Sequence, residues 1–390
     1  MSIKAYRYRF YPTREQEKIL AHTFGCVRYV WNRALAYRQA TYVYTGKGAN
    51  YGETSKAMTG WRAQHDWLSR AASVPLQQAL RQLNAAYTNF FKALAKFPRF
   101  KSKRDSQGLT YTRSGFRWDA DSQTLTVAKL GALKIRWSRR FTADPSTVTI
   151  TKNRAGQYHV SIRIDEPNRE LPAADGEVGI DLGITTHATL STGEKVDNQR
   201  FTKRFASKLR RAQKSLSRKK KGSNRWQRAK LKVARIQQHN ADSRRDWMHK
   251  TTTRLVSENQ TLVVEDLNIQ GMLKNRRLAK HVADCAWFEF VRQLEYKCEW
   301  YGREFVQIDR WEPTSKTCSN CGHVVELTLS DRTWACDSCG EHHDRDVNAA
   351  KNILAAGHAV KAQGETVRRP SRKSRRTVNQ PKASLGIPRL

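Results

Sequence analysis

The stretch Val178-Gly179-Ile180-Asp181-Leu182-Gly183-Ile184 decides how the rest of the chain is interpreted. Its apolar, β-prone residues predict a buried strand, and that strand carries the carboxylate of Asp181. Burying an unpaired charge costs free energy, so a carboxylate in this position needs a chemical reason. We therefore expect Asp181 to belong to a functional site.

Two later acids have similar surroundings. Glu265 ends an apolar run that predicts a second strand, and Asp346 stands at the start of an Ala-rich segment that predicts a helix. Carboxylates that meet at a sheet edge suit hard cations such as Mg²⁺, so we predict that the three acids share one divalent-metal site. The neighbouring acids Asp266 and Asp344 are equal alternatives on the residues alone.

The charge of the chain predicts a polyanionic partner. Its 390 residues include 72 Lys and Arg against 35 Asp and Glu, a net charge of +37, which points to nucleic acid. No apolar run approaches the roughly 18–20 residues of a membrane span, and the N-terminus lacks the core of a signal peptide. We expect a cytoplasmic, nucleoid-associated protein without a membrane partner.

The first half of the chain predicts a strand-rich domain interrupted by helices. Residues 3–11 alternate as a half-buried strand, and strand patterns return from residue 97 to 165, so we expect one small barrel-like sheet. Between them, periodic apolar residues predict helices, with a break at Gly25. The predicted domains are a β-barrel-like domain of residues 1–12 and 97–172 and a helical domain of residues 13–96.

The second half predicts a mixed α/β domain of residues 173–312 and 341–356. Residues 201–260 are expected to form a helical hairpin. Between Phe201 and Arg235 the chain holds 15 Lys and Arg and no acid, which indicates a surface that binds phosphates. The segment 268–280 is expected to be a polar loop that covers the site, and residues 357–390 a disordered basic tail.

Four of the seven cysteines indicate a metal centre. Two C-x-x-C pairs, 14 residues apart, match a tetrahedral zinc ribbon over residues 313–340, with one structural Zn²⁺. A dithiol redox pair and free thiols are the less favoured alternatives. The predicted ligands are Cys318, Cys321, Cys336 and Cys339. Three nearby histidines, His323, His342 and His343, are expected at the surface or facing nucleic acid.

The order of these motifs resembles the TnpB family, proteins encoded by insertion sequences and related to type V CRISPR effectors. The resemblance rests on Gly179–Gly183, Val264–Leu267, Thr317–Gly322 and Asp344–Ala350, and on the segments 8–12 and 97–101. It implies a RuvC-like domain of RNase H topology with an inserted zinc ribbon, a wedge domain and a helical recognition domain. It also implies that Asp181, Glu265 and Asp346 are the catalytic acids, each holding Mg²⁺, with two ions in the site.

The resemblance further implies an endonuclease that cleaves double-stranded target DNA beside a short motif, directed by a guide RNA from the transposon end. One copy of the chain is expected on one RNA. The alternatives are a guide-dependent DNA-binding regulator that does not cleave, and a transposase. The candidate nucleic-acid contacts are Arg7, Arg9, Tyr51, Thr54, Gln77, Arg99, Lys101, Arg210, Arg211, Arg218, Lys219, Lys220, Arg276 and Arg277.

Overall fold

A computed structural model describes residues 2–328 and 330–362, and it contains an N-terminal and a C-terminal unit, each with its own apolar core. Most of the predicted basic tail, residues 363–390, lies outside the described residues. The N-terminal elements are β1 (Ser2–Phe10), α1 (Arg14–Thr45), α2 (Tyr51–Gln64), α3 (Asp66–Ser69), α4 (Ser73–Phe91), β2 (Gln107–Thr112), β3 (Phe116–Asp119), β4 (Thr124–Val127), β5 (Gly131–Ala132), β6 (Ile135–Arg136), β7 (Thr147–Lys152) and β8 (Tyr158–Glu166).

The predicted barrel-like sheet is replaced by two separate sheets. Five antiparallel strands follow the order β2-β7-β8-β1-β6, and β3, β4 and β5 form a second sheet of three strands. A short 3₁₀ turn at Arg113–Gly115 separates β2 from β3 and redirects the chain between the sheets. The strand β1 pairs with β8 along all nine residues, which buries Tyr8 and Phe10 in the core.

The helical prediction needs one correction, because α1 continues without a break through Gly25. A glycine inside a helix costs only about 1 kcal/mol relative to alanine. The buried face of α1, with Leu20, Val27 and Val30 in the core, outweighs that cost. The helix ends instead at Gly46, which adopts φ +67°. The amphipathic helix predicted from the spacing of apolar residues between Leu76 and Leu94 is confirmed as α4, although α4 ends at Phe91 and Leu94 lies beyond it.

The C-terminal unit is built on a second five-stranded sheet. Its elements are β9 (Gly176–Asp181), β10 (Thr186–Leu190), β11 (Lys195–Asp197), α5 (Phe201–Ser217), α6 (Asn224–Glu258), β12 (Asn259–Glu265), α7 (Ile269–Met272), α8 (Ala279–Cys285), α9 (Trp287–Tyr301), β13 (Glu304–Ile308), β14 (Thr333–Ala335), β15 (His342–Asp344) and α10 (Arg345–Ala362). The strand order is β11-β10-β9-β12-β13, with β9, β12 and β13 parallel and β10 and β11 antiparallel. The residues for which a helical hairpin is predicted, 201–260, contain α5 and α6, which pack against each other.

Two glycines let α10 lie close against this sheet. A Cβ added to Gly179 of β9 would lie 2.1 Å from the carbonyl oxygen of Ala350, and one added to Gly357 would lie 2.6 Å from both methyl carbons of Val263. The helix runs to Ala362, so residues 357–362 are not the start of a disordered tail. The tail prediction was wrong here because packing against β12, not the weak apolar period after residue 356, sets the length of this helix.

Candidate nuclease site and metal centre

Asp181 and Glu265 lie side by side at the carboxyl ends of two neighbouring parallel strands. The register pairs Ile180 of β9 with Val264 of β12, so each acid is the next residue along its strand. Burial, followed by the charges of Asp346 and Glu265, raises the pKa of Asp181 to about 7. Burial and the charge of Asp266 also raise the pKa of Glu265. The strand ends therefore hold acidic groups that repel one another in a poorly solvated place.

The first turn of α10 places Asp346 near this pair, while Asp344 serves another purpose. One carboxylate oxygen of Asp344 accepts hydrogen bonds from the backbone N–H groups of Asp346 and Val347, both at 3.1 Å, and so caps the helix. Lys195 of β11 donates to the other oxygen at 2.6 Å. Since Asp344 is occupied by these contacts, Asp346 is the acid of the pair that contributes charge at Asp181.

A similar division separates Glu265 from Asp266. The carboxylate of Asp266 forms a close ion pair with Arg310 and accepts a hydrogen bond from Gln307 at 3.4 Å. Arg310 also lowers the pKa of Glu265, but less than burial and Asp266 raise it. Asp266 is thus held by Arg310 and Gln307, and Glu265 remains the acid beside Asp181.

Two arginines that the sequence did not single out lie beside the acids. Arg332, from the segment between the two cysteine pairs, holds a guanidinium nitrogen 4.0 Å from a carboxylate oxygen of Asp346, and most of its side chain is exposed. The positive charge of Arg345 lowers the pKa of Asp181 and so partly offsets the increase caused by burial and the neighbouring acids. Its guanidinium donates a hydrogen bond to the carbonyl of Thr328 at 2.9 Å. No local sequence pattern marks Arg332, because only the fold brings it to Asp346.

The acidic residues fit a hard divalent cation. Their ligand atoms are carboxylate oxygens, and they lie near one sheet edge. Burial, followed by the charges of Asp346 and Glu265, raises the pKa of Asp181, and a bound cation would relieve the repulsion between the carboxylates. Among residues 2–328 and 330–362, however, the cysteine cluster is the one group of three or more His, Cys, Asp or Glu side chains whose ligand atoms all lie within 4.8 Å of one another. The three acids are therefore more widely spaced than that cluster.

The four predicted cysteines come together as a tetrahedral-type cluster. The sulfur of Cys318 lies 3.7 Å from that of Cys339, and Cys321 lies 3.6 Å from Cys336. Each C-x-x-C turn closes with a backbone hydrogen bond of 2.8–2.9 Å from the glycine that follows it, Gly322 or Gly340, and both glycines adopt positive φ. Four thiolates in this arrangement suit one metal ion with a closed coordination shell.

The expectation that His343 lies at the surface was wrong. Its ring is buried, its Nε2 lies 3.0 Å from the sulfur of Cys318, and it packs on the indole of Trp334 with ring centroids 4.5 Å apart. The antiparallel pairing of β14 with β15 brings Trp334 and His343 into register, which explains the burial. His323 is exposed and lies 3.1 Å from Asp337.

The predicted contacts Arg7 and Arg9 lie where the first sheet meets α6. Arg7 is exposed, but partial desolvation by the surrounding protein, followed by the charge of Arg245 on α6, lowers its pKa. Burial, Arg7 and Arg9 together lower the pKa of His159 to about 4. The crowding of cations at this junction suits a phosphate, which would offset their repulsion.

Among the candidate nucleic-acid contacts of the helical unit, some side chains are exposed and others already make contacts within the protein. Gln77 and Arg99 are exposed, and Tyr51 is half-buried beneath the guanidinium of Arg81. Thr54 needs a correction: it is 2% exposed and its hydroxyl donates to the carbonyls of Asn50 and Tyr51, so it offers nothing to a base edge. Lys101 is partly occupied, with its ammonium 3.7 Å from the ring centroid of Trp31.

The remaining candidates lie on the hairpin and in the segment after β12. Lys219 donates two hydrogen bonds of 3.0 Å to Ser215, whereas the others are exposed, namely Arg210, Arg211, Arg218, Lys220, Arg276 and Arg277. The segment 268–280 is not a plain loop, since it contains the short helix α7 and a series of hydrogen-bonded turns.

Comparisons with known proteins agree with this architecture. Residues 159–276 match the family described as "Probable transposase" (OrfB_IS605), and residues 287–353 match "Cas12f1-like, TNB domain". Residues 1–47 match a family described as "Helix-turn-helix domain", although here they form β1 and the single helix α1. No helix in the described part of the chain is long and apolar enough to cross a membrane.

Two relatives extend over almost the whole chain. A protein of Streptomyces pristinaespiralis described as "Putative RNA-guided DNA endonuclease" is 48% identical over 99% of this chain and 98% of its own length. InsQ of Escherichia coli K12, described in the same words, is 34% identical over 94% of this chain and 95% of its own length.

Two solved structures share the fold. The structure described as "Cryo-EM structure of the Cas12f1-sgRNA-target DNA complex" aligns with a TM-score of 0.60 at 14% identity, over 90% of this chain and 98% of that one. The structure described as "Structure of the mini-RNA-guided endonuclease CRISPR-Cas_phi3" aligns with a TM-score of 0.53 at 7% identity, over 91% and 92%. These matches place the chain in the class of OrfB proteins with a Cas12f1-like TNB domain. Within that class, the chain belongs to the TnpB family.

Proposed function

We propose that this protein is an RNA-guided DNA endonuclease of a transposable element, with Asp181, Glu265 and Asp346 as its catalytic acids. The observation that carries the proposal is the placement of Asp181 and Glu265 at the ends of β9 and β12 with Asp346 nearby, where burial, followed by the charges of the other two acids, raises the pKa of Asp181 to about 7. The names of the relatives and the nucleic acids in the Cas12f1 complex support the choice of substrate and guide.

The proposed domains follow the predicted boundaries. The sheet β11-β10-β9-β12-β13 with α10 is proposed as the RuvC-like nuclease domain, and residues 313–340 as a zinc ribbon inserted in it. The two N-terminal sheets are proposed as the wedge domain and α1–α4 as the recognition domain. One copy of the chain is proposed to bind one guide RNA.

Two Mg²⁺ ions, held by Asp181, Glu265 and Asp346, would supply Lewis-acid activation of a water and stabilisation of the leaving 3′-oxygen. The chain's own residues prepare the site. Asp344 fixes the start of α10 and thereby the position of Asp346, and Arg310 removes Asp266 from competition for the cation. Arg332 offers an exposed guanidinium to a phosphate beside Asp346.

The test begins with the complex of the full chain and the RNA that copurifies with it. Sequencing that RNA should yield one defined species with a variable 3′ end, whereas a random mixture would contradict guiding. A plasmid library should then carry a target complementary to the variable end beside randomised flanking bases. With Mg²⁺, cleavage should select one short flanking motif.

Matched variants test the assignment of the acids. Asp181→Ala, Glu265→Ala and Asp346→Ala should each abolish cleavage while the amount of bound RNA stays unchanged. Asp266→Asn and Asp344→Asn, which keep a hydrogen-bond acceptor at each position but remove the charge, are the controls and should retain cleavage. An Asp181→Ala complex that still cuts would disprove the assignment.

The alternative functions give different results in the same experiment. A regulator would bind the target with the wild-type acids present and leave it intact. A transposase would join strands at transposon ends without the guide RNA.

A further inference from the structure

An exposed aromatic surface lies where α4 ends. Phe97 meets Tyr87 and Phe90 edge to face, with ring centroids 5.5 and 5.2 Å apart, and Phe91 stacks on Tyr87 at 6.2 Å. We call these four residues the aromatic shelf. Phe91 is 77% exposed and Phe97 is 44% exposed, so two flat ring faces are open to solvent. Exposed aromatic rings grouped in this way mark a binding surface more often than isolated apolar residues do.

The shelf is held in place by the turn after α4. Ala93 adopts φ +55°, a conformation that costs a non-glycine residue about 1 kcal/mol or more. The N–H groups of Leu94 and Ala95 both bond back to the carbonyl of Asn89, at 2.8 and 3.2 Å, and this reversal returns Phe97 to the helix. The indole of Trp31 then donates to the carbonyl of Arg99 at 3.1 Å and secures the far end of the segment. The exposed rings are thus presented by an ordered segment.

The charge around the shelf selects the kind of partner. Residues 67–104 contain eight Lys and Arg and no acid, and Arg38 adds a guanidinium 4.2 Å from the ring centroid of Tyr87. A partner with flat apolar faces and repeated negative charge fits both features, and unpaired nucleotides have that chemistry. A second copy of this chain, which carries +37, would be repelled.

The proposed role of α1–α4 in recognising the target favours DNA as the source of the nucleotide. At about 100° per residue, Arg81, Thr88 and Phe91 all lie within about 40° of Gln77 around the helix. All four side chains are exposed, so they form one continuous stripe. The stripe is about 21 Å long at 1.5 Å per residue, which matches about six nucleotides at 3.4 Å each. Gln77 is a candidate nucleic-acid contact, so a target strand bound at Gln77 would also extend to the shelf.

We propose that the aromatic shelf binds an unpaired nucleotide of the target DNA, with Phe91 stacking on its base and the surrounding cations contacting its phosphates. The proposal rests on the proposed function, because it requires a DNA duplex that the complex opens. No part of it depends on the nuclease acids.

The experiment measures binding of the selected target duplex to the RNA complex with Ca²⁺ in place of Mg²⁺, so that cleavage is suppressed and the metal of the cysteine cluster is left in place. Phe91→Ala should raise the Kd about 5- to 150-fold, which corresponds to the loss of one stacked base. Phe91→Leu keeps an apolar side chain without a flat face and should behave like Phe91→Ala, whereas Phe91→Trp should stay within about threefold of wild type. Leu94→Ala, at a neighbouring exposed apolar residue, is the matched control and should change the Kd less than about twofold.

A second measurement locates the contact. With 2-aminopurine placed in turn at each target position, emission should be quenched at one position in the wild-type complex and restored by Phe91→Ala. Unchanged Kd values for both Phe91→Ala and Phe91→Leu would overturn the proposal.

Two other outcomes would also overturn it by identifying a different occupant. One is that Phe91→Ala lowers the amount of copurified RNA, which would assign the shelf to the guide. The other is that light scattering shows Phe91→Ala dissociating a dimer, which would assign it to a second copy. If the wild-type complex does not bind the target at all, that result contradicts the proposed function, and it is distinguishable from a failure of the proposal for the aromatic shelf.

Discussion

Replacing Gly179 with alanine tests whether the close contact between β9 and α10 positions the acids. The added Cβ would lie 2.1 Å from the carbonyl oxygen of Ala350 and 2.7 Å from the backbone nitrogen of Leu354. Both are helix backbone atoms, so no side-chain rotation can relieve the clash. Restoring a normal contact of about 3.5 Å requires α10 to move by roughly 1 Å or more.

That movement should affect cleavage more than binding. Asp346 lies one turn before Ala350 on α10, and Asp181 lies two residues after Gly179 on β9, so the shift separates two of the acids directly. A misplacement of about 1 Å in a catalytic group costs on the order of 100-fold in rate, and overpacking of a core costs about 1–3 kcal/mol. We therefore expect Gly179→Ala to cut about 100-fold more slowly, with a lower Tm and unchanged RNA content.

The assay is single-turnover cleavage of the target duplex together with thermal unfolding. Gly60→Ala in α2 is the matched control, because no described atom beyond its own helix and chain neighbours lies within 4 Å of the added Cβ. It should raise stability by about 0.5–1 kcal/mol and leave cleavage unchanged. A Gly179→Ala protein that cuts at the wild-type rate and keeps its Tm would refute the reasoning.

Three further predictions concern the helix cap, the cysteine cluster and a buried lysine. Asp344→Ala removes the cap of α10 and should lower the free energy of unfolding by about 0.5–2 kcal/mol, measured by urea titration. Cys336→Ser should lower the zinc content per chain measured by mass spectrometry, whereas Cys26→Ser, outside the cluster, should leave it unchanged. Burial lowers the pKa of Lys297 to about 8, so the unfolded chain binds more protons between pH 8 and 10.5, and stability contributed by this group rises with pH across that window. Methionine does not titrate, so between pH 7.5 and 10.5 the free energy of unfolding of the wild type should rise by up to about 3 kcal/mol relative to that of Lys297→Met. An equal pH dependence of the free energy of unfolding in the two proteins would contradict the assignment.

The elements predicted best are those with strong local periodicity. Alternating apolar residues predict the strand β1, and apolar residues at three- to four-residue steps predict α4, α5 and α6. This spacing can be recognised within each segment alone, without knowledge of its neighbours in the fold. The cysteine cluster was predictable for the same reason, since each C-x-x-C pair is a local turn with its own glycine. These features need little information from the rest of the fold.

The errors occurred where contacts distant in sequence determine the structure. Packing of its apolar face keeps α1 helical through Gly25, and contact with Val263 carries α10 beyond Gly357. Register with Trp334 buries His343 beside Cys318. In each case the residue's neighbours come from other elements, so local pattern could not supply them.

The sequence by itself was enough to predict the strand containing Asp181, the two later acidic segments, the cysteine pairs and the basic hairpin. Each of these features can be recognised from local composition and residue spacing. At the level of sequence, only the resemblance to a family selected Glu265 over Asp266 and Asp346 over Asp344. Tertiary structure provides the physical basis: Arg310 pairs with Asp266, while Lys195 and the first turn of α10 occupy Asp344. Glu265 and Asp346 are left beside Asp181 because charge pairing and helix capping depend on three-dimensional neighbours that no single stretch of sequence contains.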